Sequence, residues 1–148
     1  MRKKRTSDIA ELIFRVKSVR KRLADAVREE KRICTPVLSD FNLVGRVHSV
    51  FLAKMNEMDA GKKRYGDYRR MQFLMLVKVL FAPRSLYGAD FPKGLRLPVS
   101  KVMNINKSRV SQLSAGTARM YELNLYGFAD DFDCIYRHVL SEVSKWER

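Results

Sequence analysis

Residues 97–113, LPVSKVMNINKSRVSQL, constrain the fold of this chain more than any other stretch. Val99 and Met103 lie at helical spacing and give the first part of the stretch an apolar face. Asn104 interrupts this pattern, and asparagine tolerates the left-handed backbone conformation that a sharp turn requires. A second helical pattern then covers about 107–115. The spacing therefore predicts two short helices joined by a tight turn.

The second of these helices has an apolar face and a polar face. Val110 and Leu113 are three positions apart, so both face the interior of the protein. Asn106 precedes the helix and is suited to cap its N-terminus. The outward face presents four polar or basic side chains, those of Lys107, Ser108, Ser111 and Gln112.

This stretch resembles the helix-turn-helix of bacterial and phage DNA-binding regulators. The apolar positions of that motif are occupied here by Val99, Met103, Ile105, Val110 and Leu113. The run SRVSQL at 108–113 is typical of the recognition helix. Two positions depart from the motif, because Asn104 stands where glycine is usual and Ser100 stands where alanine is usual. The resemblance is confined to the motif, and it implies a DNA-binding regulator whose second helix enters the major groove.

The resemblance also implies roles for individual residues. The side chains directed at DNA would be those of Asn106, Lys107, Ser108, Ser111 and Gln112. Gln112 would read an adenine edge, and Lys107 would reach a guanine or a phosphate. Backbone phosphates would be held by Arg109, Lys101 and Arg119.

The charge of the chain favours a polyanionic partner. Lys and Arg number 30 against 16 Asp and Glu, which gives a net charge of +14 and a pI near 10.1. Nucleic acid is the expected partner, with DNA favoured, while ribosomal association and anionic membrane surfaces are the other candidates. Residues 129–148 carry 3 basic and 5 acidic side chains, so we expect this segment to face away from the DNA.

The first 35 residues carry 12 basic and 5 acidic side chains and predict a long basic helix over about 8–32, with Ser7 as its N-cap. The basic tip at 2–5, RKKR, is either a solvated run of charges or a flexible arm that follows a phosphate backbone or enters a minor groove. Apolar residues spaced 3-4-3-4-3 form a heptad seam along this helix: Ile9, Leu12, Val16, Val19, Leu23 and Ala26.

Cations flank this heptad seam. Arg15, Arg20 and Arg22 fall at flanking heptad positions, so a parallel homodimer would set like charges against each other. We expect the seam to pack on the body of the protein or on an acidic partner. A homodimer or a larger protein assembly stays open as an alternative.

The loop at 59–66, DAGKKRYG, is a second basic feature. Its consecutive cations Lys62, Lys63 and Arg64 lie between two glycines, which allow the backbone to approach a phosphate closely. The loop is therefore a candidate phosphate contact, with a simple exposed polar loop as the alternative.

Helical patterns also cover about 41–58, 67–82, 118–125 and 131–146. Ser39 or Asp40 is suited to cap the first of these helices, and Asp130 or Asp131 the last. The connector at 83–97 is rich in Gly and Pro and has room for a short β-hairpin or a 3₁₀ turn.

These patterns predict an all-α fold. Residues 1–35 form the basic arm and long helix, and residues 36–148 form a single helical domain that contains the helix-turn-helix. We expect about six helices in this domain, in addition to the long N-terminal helix.

The sequence lacks the motifs of the common enzyme classes. It contains no P-loop, GxGxxG, GxSxG or HExxH pattern, so we expect neither enzymatic activity nor a cofactor. Cys34 and Cys134 are isolated and predict free thiols rather than a metal site or a disulfide. No signal peptide and no apolar run of membrane-spanning length is visible, so we expect no membrane association and a location in the cytoplasm or nucleoid of a bacterial host.

Two functions are consistent with these observations. The first is sequence-specific binding of double-stranded DNA by a bacterial or phage transcriptional regulator. The alternative is a non-catalytic, basic helical protein with a structural or interaction role in a phage particle or another nucleoprotein assembly, which would place it in the virion.

Overall fold

A computed structural model describes the backbone of residues 2–59, 66–88 and 90–146, and the side chains from Asp8 onward within those ranges. The described residues contain α-helices and short 3₁₀ turns but no strand, which confirms the all-α prediction. The chain divides into two compact units, Met1–Thr35 and Pro36–Arg148.

The first unit consists of one long helix, α1, which spans Arg2–Ile33. It begins earlier than predicted, so Ser7 is not an N-cap, and the backbone of the basic tip at 2–5 is helical rather than an arm. No Gly or Pro precedes Ser7, and Arg and Lys are good helix formers, so nothing stops the helix there. Helix α1 ends before Pro36, because the residue that precedes a proline disfavours the helical conformation.

The second unit begins with a short 3₁₀ turn over Phe41–Leu43, which leads into α2 over Val44–Met58. The sequence predicted one helix over 41–58, and only its first three residues are tighter than an α-helix. The predicted cap at Asp40 is confirmed, since its carboxylate accepts a hydrogen bond of 3.0 Å from the backbone N–H of Asn42.

Helix α3 over Tyr68–Phe81 is the centre of the core. Seven consecutive residues, from Gln72 to Lys78, are buried, so this helix is covered on every side. Helices α2, α5, α6 and α7 all contact it. The one amide in this run, Gln72, is partly satisfied because its Nε2 donates to the carbonyl of Phe128 at 3.0 Å.

The connector after α3 holds a 3₁₀ turn over Pro83–Leu86, which is one of the two structures predicted there. Helix α4 then spans Arg96–Met103 and begins two residues before Pro98. Pro98 therefore lies in the first turn of α4, where its missing N–H still costs no helical hydrogen bond.

Three helices complete the second unit: α5 over Lys107–Ser114, α6 over Thr117–Glu122 and α7 over Phe128–Ser144. Helix α6 stops short of the predicted 118–125 because Asn124 adopts a left-handed conformation with φ 45°. Helix α7 starts earlier than the predicted residue 131, so Asp130 and Asp131 lie in its first turn and do not cap it. The Asn124 side chain supplies the cap instead, by accepting from the N–H of Ala129 at 2.8 Å.

Candidate nucleic-acid interface

The turn between α4 and α5 is built on a left-handed asparagine. Asn104 has φ 55° and ψ 45°, as the sequence predicted for this position. Its backbone N–H donates to the carbonyl of Lys101 at 3.2 Å, and the N–H of Ile105 donates to the carbonyl of Ser100 at 3.2 Å. These bonds satisfy carbonyls that the end of a helix would otherwise leave unpaired.

Ser100 adds a bond that the alanine usual at this position would lack. Its hydroxyl donates to the carbonyl of Ile105 at 2.5 Å, across the turn. The departure of Ser100 from the motif is therefore compensated locally, because the hydroxyl links α4 to the residue that follows the turn.

Helix α5 is held at its N-terminus by Asn106. This residue is extended, with φ −75° and ψ 163°, and its Oδ1 accepts from the backbone N–H of Arg109 at 2.7 Å. The predicted N-cap is confirmed. The amide oxygen of Asn106 is thereby engaged, and only its Nδ2 is left to donate to a ligand.

The C-terminus of α5 is held by a lysine that the sequence patterns did not single out. Lys78, in the middle of α3, is 4% exposed, and its ammonium donates to the carbonyl of Ser114 and, at 2.8 Å, to the hydroxyl of Thr117. A cation at the last carbonyls of a helix also suits the helix dipole. Burial lowers the pKa of Lys78 to about 8. The available signal was a lone Lys inside the apolar run FLMLVKVLF.

The two faces of α5 are separated as predicted. Val110 and Leu113 are 1% and 7% exposed, and α5 packs against α3 and α4 through this side. The polar residues predicted to face outward are all exposed: Asn106, Lys107, Ser108, Ser111 and Gln112. The second unit thus presents a polar helix face that is anchored at both ends.

Arg109 differs from the other predicted site residues. Its guanidinium forms an ion pair with Asp67, the residue that precedes α3, and its Nη1 lies 3.5 Å from the Oε1 of Gln112. Asp67 also lies 3.3 Å from the guanidinium of Arg70. Arg109 therefore ties α5 to the start of α3, and its charge is partly neutralised within the protein.

The remaining predicted site residues lie outside α5. Lys101 on α4 and Arg119 on α6 are exposed. The loop cations Lys62, Lys63 and Arg64 lie outside the described residues.

A cavity of about 280 Å³ lies beside α5, lined in part by Val110, Ser111 and Ser114 together with Lys78 and Arg96.

Among the residues that the structure describes, no group of three or more His, Cys, Asp or Glu side chains could hold a metal ion. Within the same ranges, no helix combines the length and the hydropathy of a transmembrane span.

No protein-family model matches the chain, and no curated protein or solved structure is significantly similar to it.

Proposed function

We propose that this protein binds double-stranded DNA sequence-specifically through α4, the Asn104 turn and α5, and that it is a transcriptional regulator of bacterial or phage type. The observation that carries this proposal is the exposed polar face of α5 on a helix held at both ends. A helix that reads bases must keep its side chains within a fraction of an ångström of their partners, which requires such support.

The side chains on this face have the chemistry of base readout. The amide of Gln112 offers a donor and an acceptor, which together match the edge of adenine in the major groove once its Oε1 releases the Nη1 of Arg109, 3.5 Å away. Lys107, in the first turn of α5, would reach a guanine or a phosphate. Ser108 and Ser111 have short side chains and would add hydrogen bonds only to nearby bases or phosphates. Asn106 would contribute only its Nδ2 as a donor.

Phosphate contacts would come from cations outside α5. Lys101 and Arg119 fit that role because both are exposed. Lys62, Lys63 and Arg64 would add further charge neutralisation. Arg109 would contribute less than the sequence suggested, since it already pairs with Asp67.

The direct test is to select binding sites for the full-length protein from a random duplex library at physiological salt, with RNA as competitor. A regulator should enrich one motif and prefer it to random duplex by about a thousandfold or more. The symmetry of that motif would report the number of subunits bound. Binding without an enriched motif, abolished by RNA or modest salt, would contradict sequence-specific readout.

Replacing Gln112 with Ala tests the role of a single side chain. We expect Gln112→Ala to relax the preference at one base pair of the selected site, at a cost of about 1–3 kcal/mol. Affinities for matched and single-mismatch duplexes would measure it, with Glu57→Ala, an exposed change on α2, as the control. An equal loss on every sequence would contradict direct readout.

A second candidate function is a structural or interaction role in a nucleoprotein assembly, without sequence readout. The exposed apolar stripe of α1 favours it, because a DNA reader does not need such a surface. An assembly component should bind DNA and RNA alike and form large complexes with them.

A further inference from the structure

Helix α1 carries an apolar stripe that is exposed along most of its length. The stripe, which we call the α1 seam, consists of side chains that are 45% to 63% exposed: Ile9, Leu12, Val16, Val19 and Leu23. Most protein helices are stabilised by burying such a stripe rather than by intrinsic helix propensity. A seam that is this exposed in the isolated chain is therefore a surface suited to a partner.

The shape of the seam favours another helix over a lipid surface. Its residues alternate at spacings of three and four, which is the narrow pattern of a coiled coil. A helix that lies on a membrane instead gathers its large apolar residues on one broad face. Here Phe14, the largest apolar side chain of α1, lies on the opposite side and is 70% exposed. Arg20 borders the seam directly, so a charged side chain limits the width of the apolar face.

The charges beside the seam define the partner. Arg15 and Arg22 flank one side of it and Arg20 flanks the other, in a stretch, 12–24, that contains five cations and no acid. The Nη2 of Arg15 lies 2.9 Å from the Oε1 of Glu11, whereas Arg20 and Arg22 form no ion pair with any residue that the structure describes. The middle of the seam is thus bordered by positive charge on both sides.

A second copy of this chain fits that pattern poorly. In a parallel pair, Arg15 of one helix would face Arg20 of the other. In a fully overlapped antiparallel pair, Arg15 would face Arg22 and Asp8 would face Glu29. Both arrangements set like charges against each other.

We infer that the α1 seam is a docking surface for an acidic amphipathic helix of another protein. The apolar residues of that helix would cover the seam, and its flanking Asp or Glu side chains would pair with Arg15, Arg20 and Arg22. This inference rests on the first unit and does not depend on DNA binding by the second.

The test uses the full-length protein and two synthetic peptides of three heptads with the same Leu and Ile seam. One peptide has Glu at every flanking position and the other has Lys. We expect the protein to bind the Glu peptide about tenfold or more tightly than the Lys peptide, as three exposed ion pairs would allow. Fluorescence anisotropy with labelled peptide measures both affinities.

Charge reversal makes the test specific. The triple variant Arg15→Glu, Arg20→Glu, Arg22→Glu should reverse the preference and bind the Lys peptide more tightly. The matched control reverses three cations that do not flank the seam, Lys17→Glu, Lys21→Glu and Arg28→Glu, and should keep the original preference. Circular dichroism would establish that each variant retains its helix.

Apolar substitutions provide an independent check. Val19→Glu should abolish peptide binding, whereas Phe14→Glu, on the opposite side of α1, should leave it unchanged. Several results would overturn the inference. These are binding of neither peptide, an equal loss of peptide binding in Val19→Glu and Phe14→Glu, or self-association of the protein that Val19→Glu removes. Binding to anionic vesicles or to random duplex DNA that is lost in Val19→Glu but not in Phe14→Glu would also overturn it, in favour of those surfaces.

Discussion

Lys78→Met should make the stability of this protein less dependent on pH in the alkaline range. Burial lowers the pKa of Lys78 from 10.5 to about 8 in the folded state. The unfolded chain then holds more protons than the folded protein between pH 8 and 10.5, so the free energy of unfolding rises with pH across that window. By linkage, this single group adds about 2 kcal/mol between pH 7 and pH 9.5, and roughly 3 kcal/mol over the whole window.

Methionine has a similar shape and does not titrate, so the variant should lack this rise. At pH 7 we expect the two proteins to differ little, because methionine removes the cost of a buried charge but also the bonds to Ser114 and Thr117. Urea unfolding at pH 7, 8.5 and 9.5 gives the difference between wild type and variant, which cancels the other titrating groups. The exposed Lys93→Met is the control. Parallel stability curves for wild type and Lys78→Met would refute the reasoning.

Three further predictions concern the turn and the ends of α5. Asn104→Ala should lower the free energy of unfolding by about 1–2 kcal/mol, because alanine resists φ 55°, whereas Asn104→Gly should change it by less; equal losses in urea unfolding would contradict this explanation. Asn106→Ala should cost about 1 kcal/mol through loss of the bond to the N–H of Arg109, and Asn106→Asp should retain most of the stability; a neutral Ala variant would show that the cap is dispensable. Asp67→Asn should free the guanidinium of Arg109, so that binding to DNA of any sequence strengthens and its salt dependence steepens by about one unit; an unchanged slope would mean that Arg109 does not reach a phosphate.

Most of the helical architecture could be predicted because its signals are local. Helix α2 follows from apolar periodicity and α3 from a long apolar run. The bend between α4 and α5 follows from Asn104 and Asn106, whose preferences act within a few residues. The error at the start of α7 has a local cause. The sequence offered Asp130 or Asp131 as the cap, but the helix begins at Phe128 and the side chain of Asn124 accepts from the N–H of Ala129 instead.

The sequence predicted the polar face of α5, but not the contacts with other helices that hold α5 in place. Periodicity places Gln112 on the exposed side of α5 and Val110 on the buried side, and both placements are correct. It does not reveal that Lys78, 36 residues before Ser114, reaches the end of the same helix. Nor does it reveal the pairing of Arg109 with Asp67, 42 residues away, which changed the role expected for that arginine.

The sequence by itself therefore determined the helices, the turn between α4 and α5, and the net positive charge, since each depends on backbone preferences or on composition. Only the tertiary structure decided which polar groups are engaged inside the protein and which are left for a ligand. The physical reason is that ion pairs, helix-end contacts and desolvation arise between segments that are distant along the chain. Their energies depend on where packing brings those segments, which no local pattern encodes.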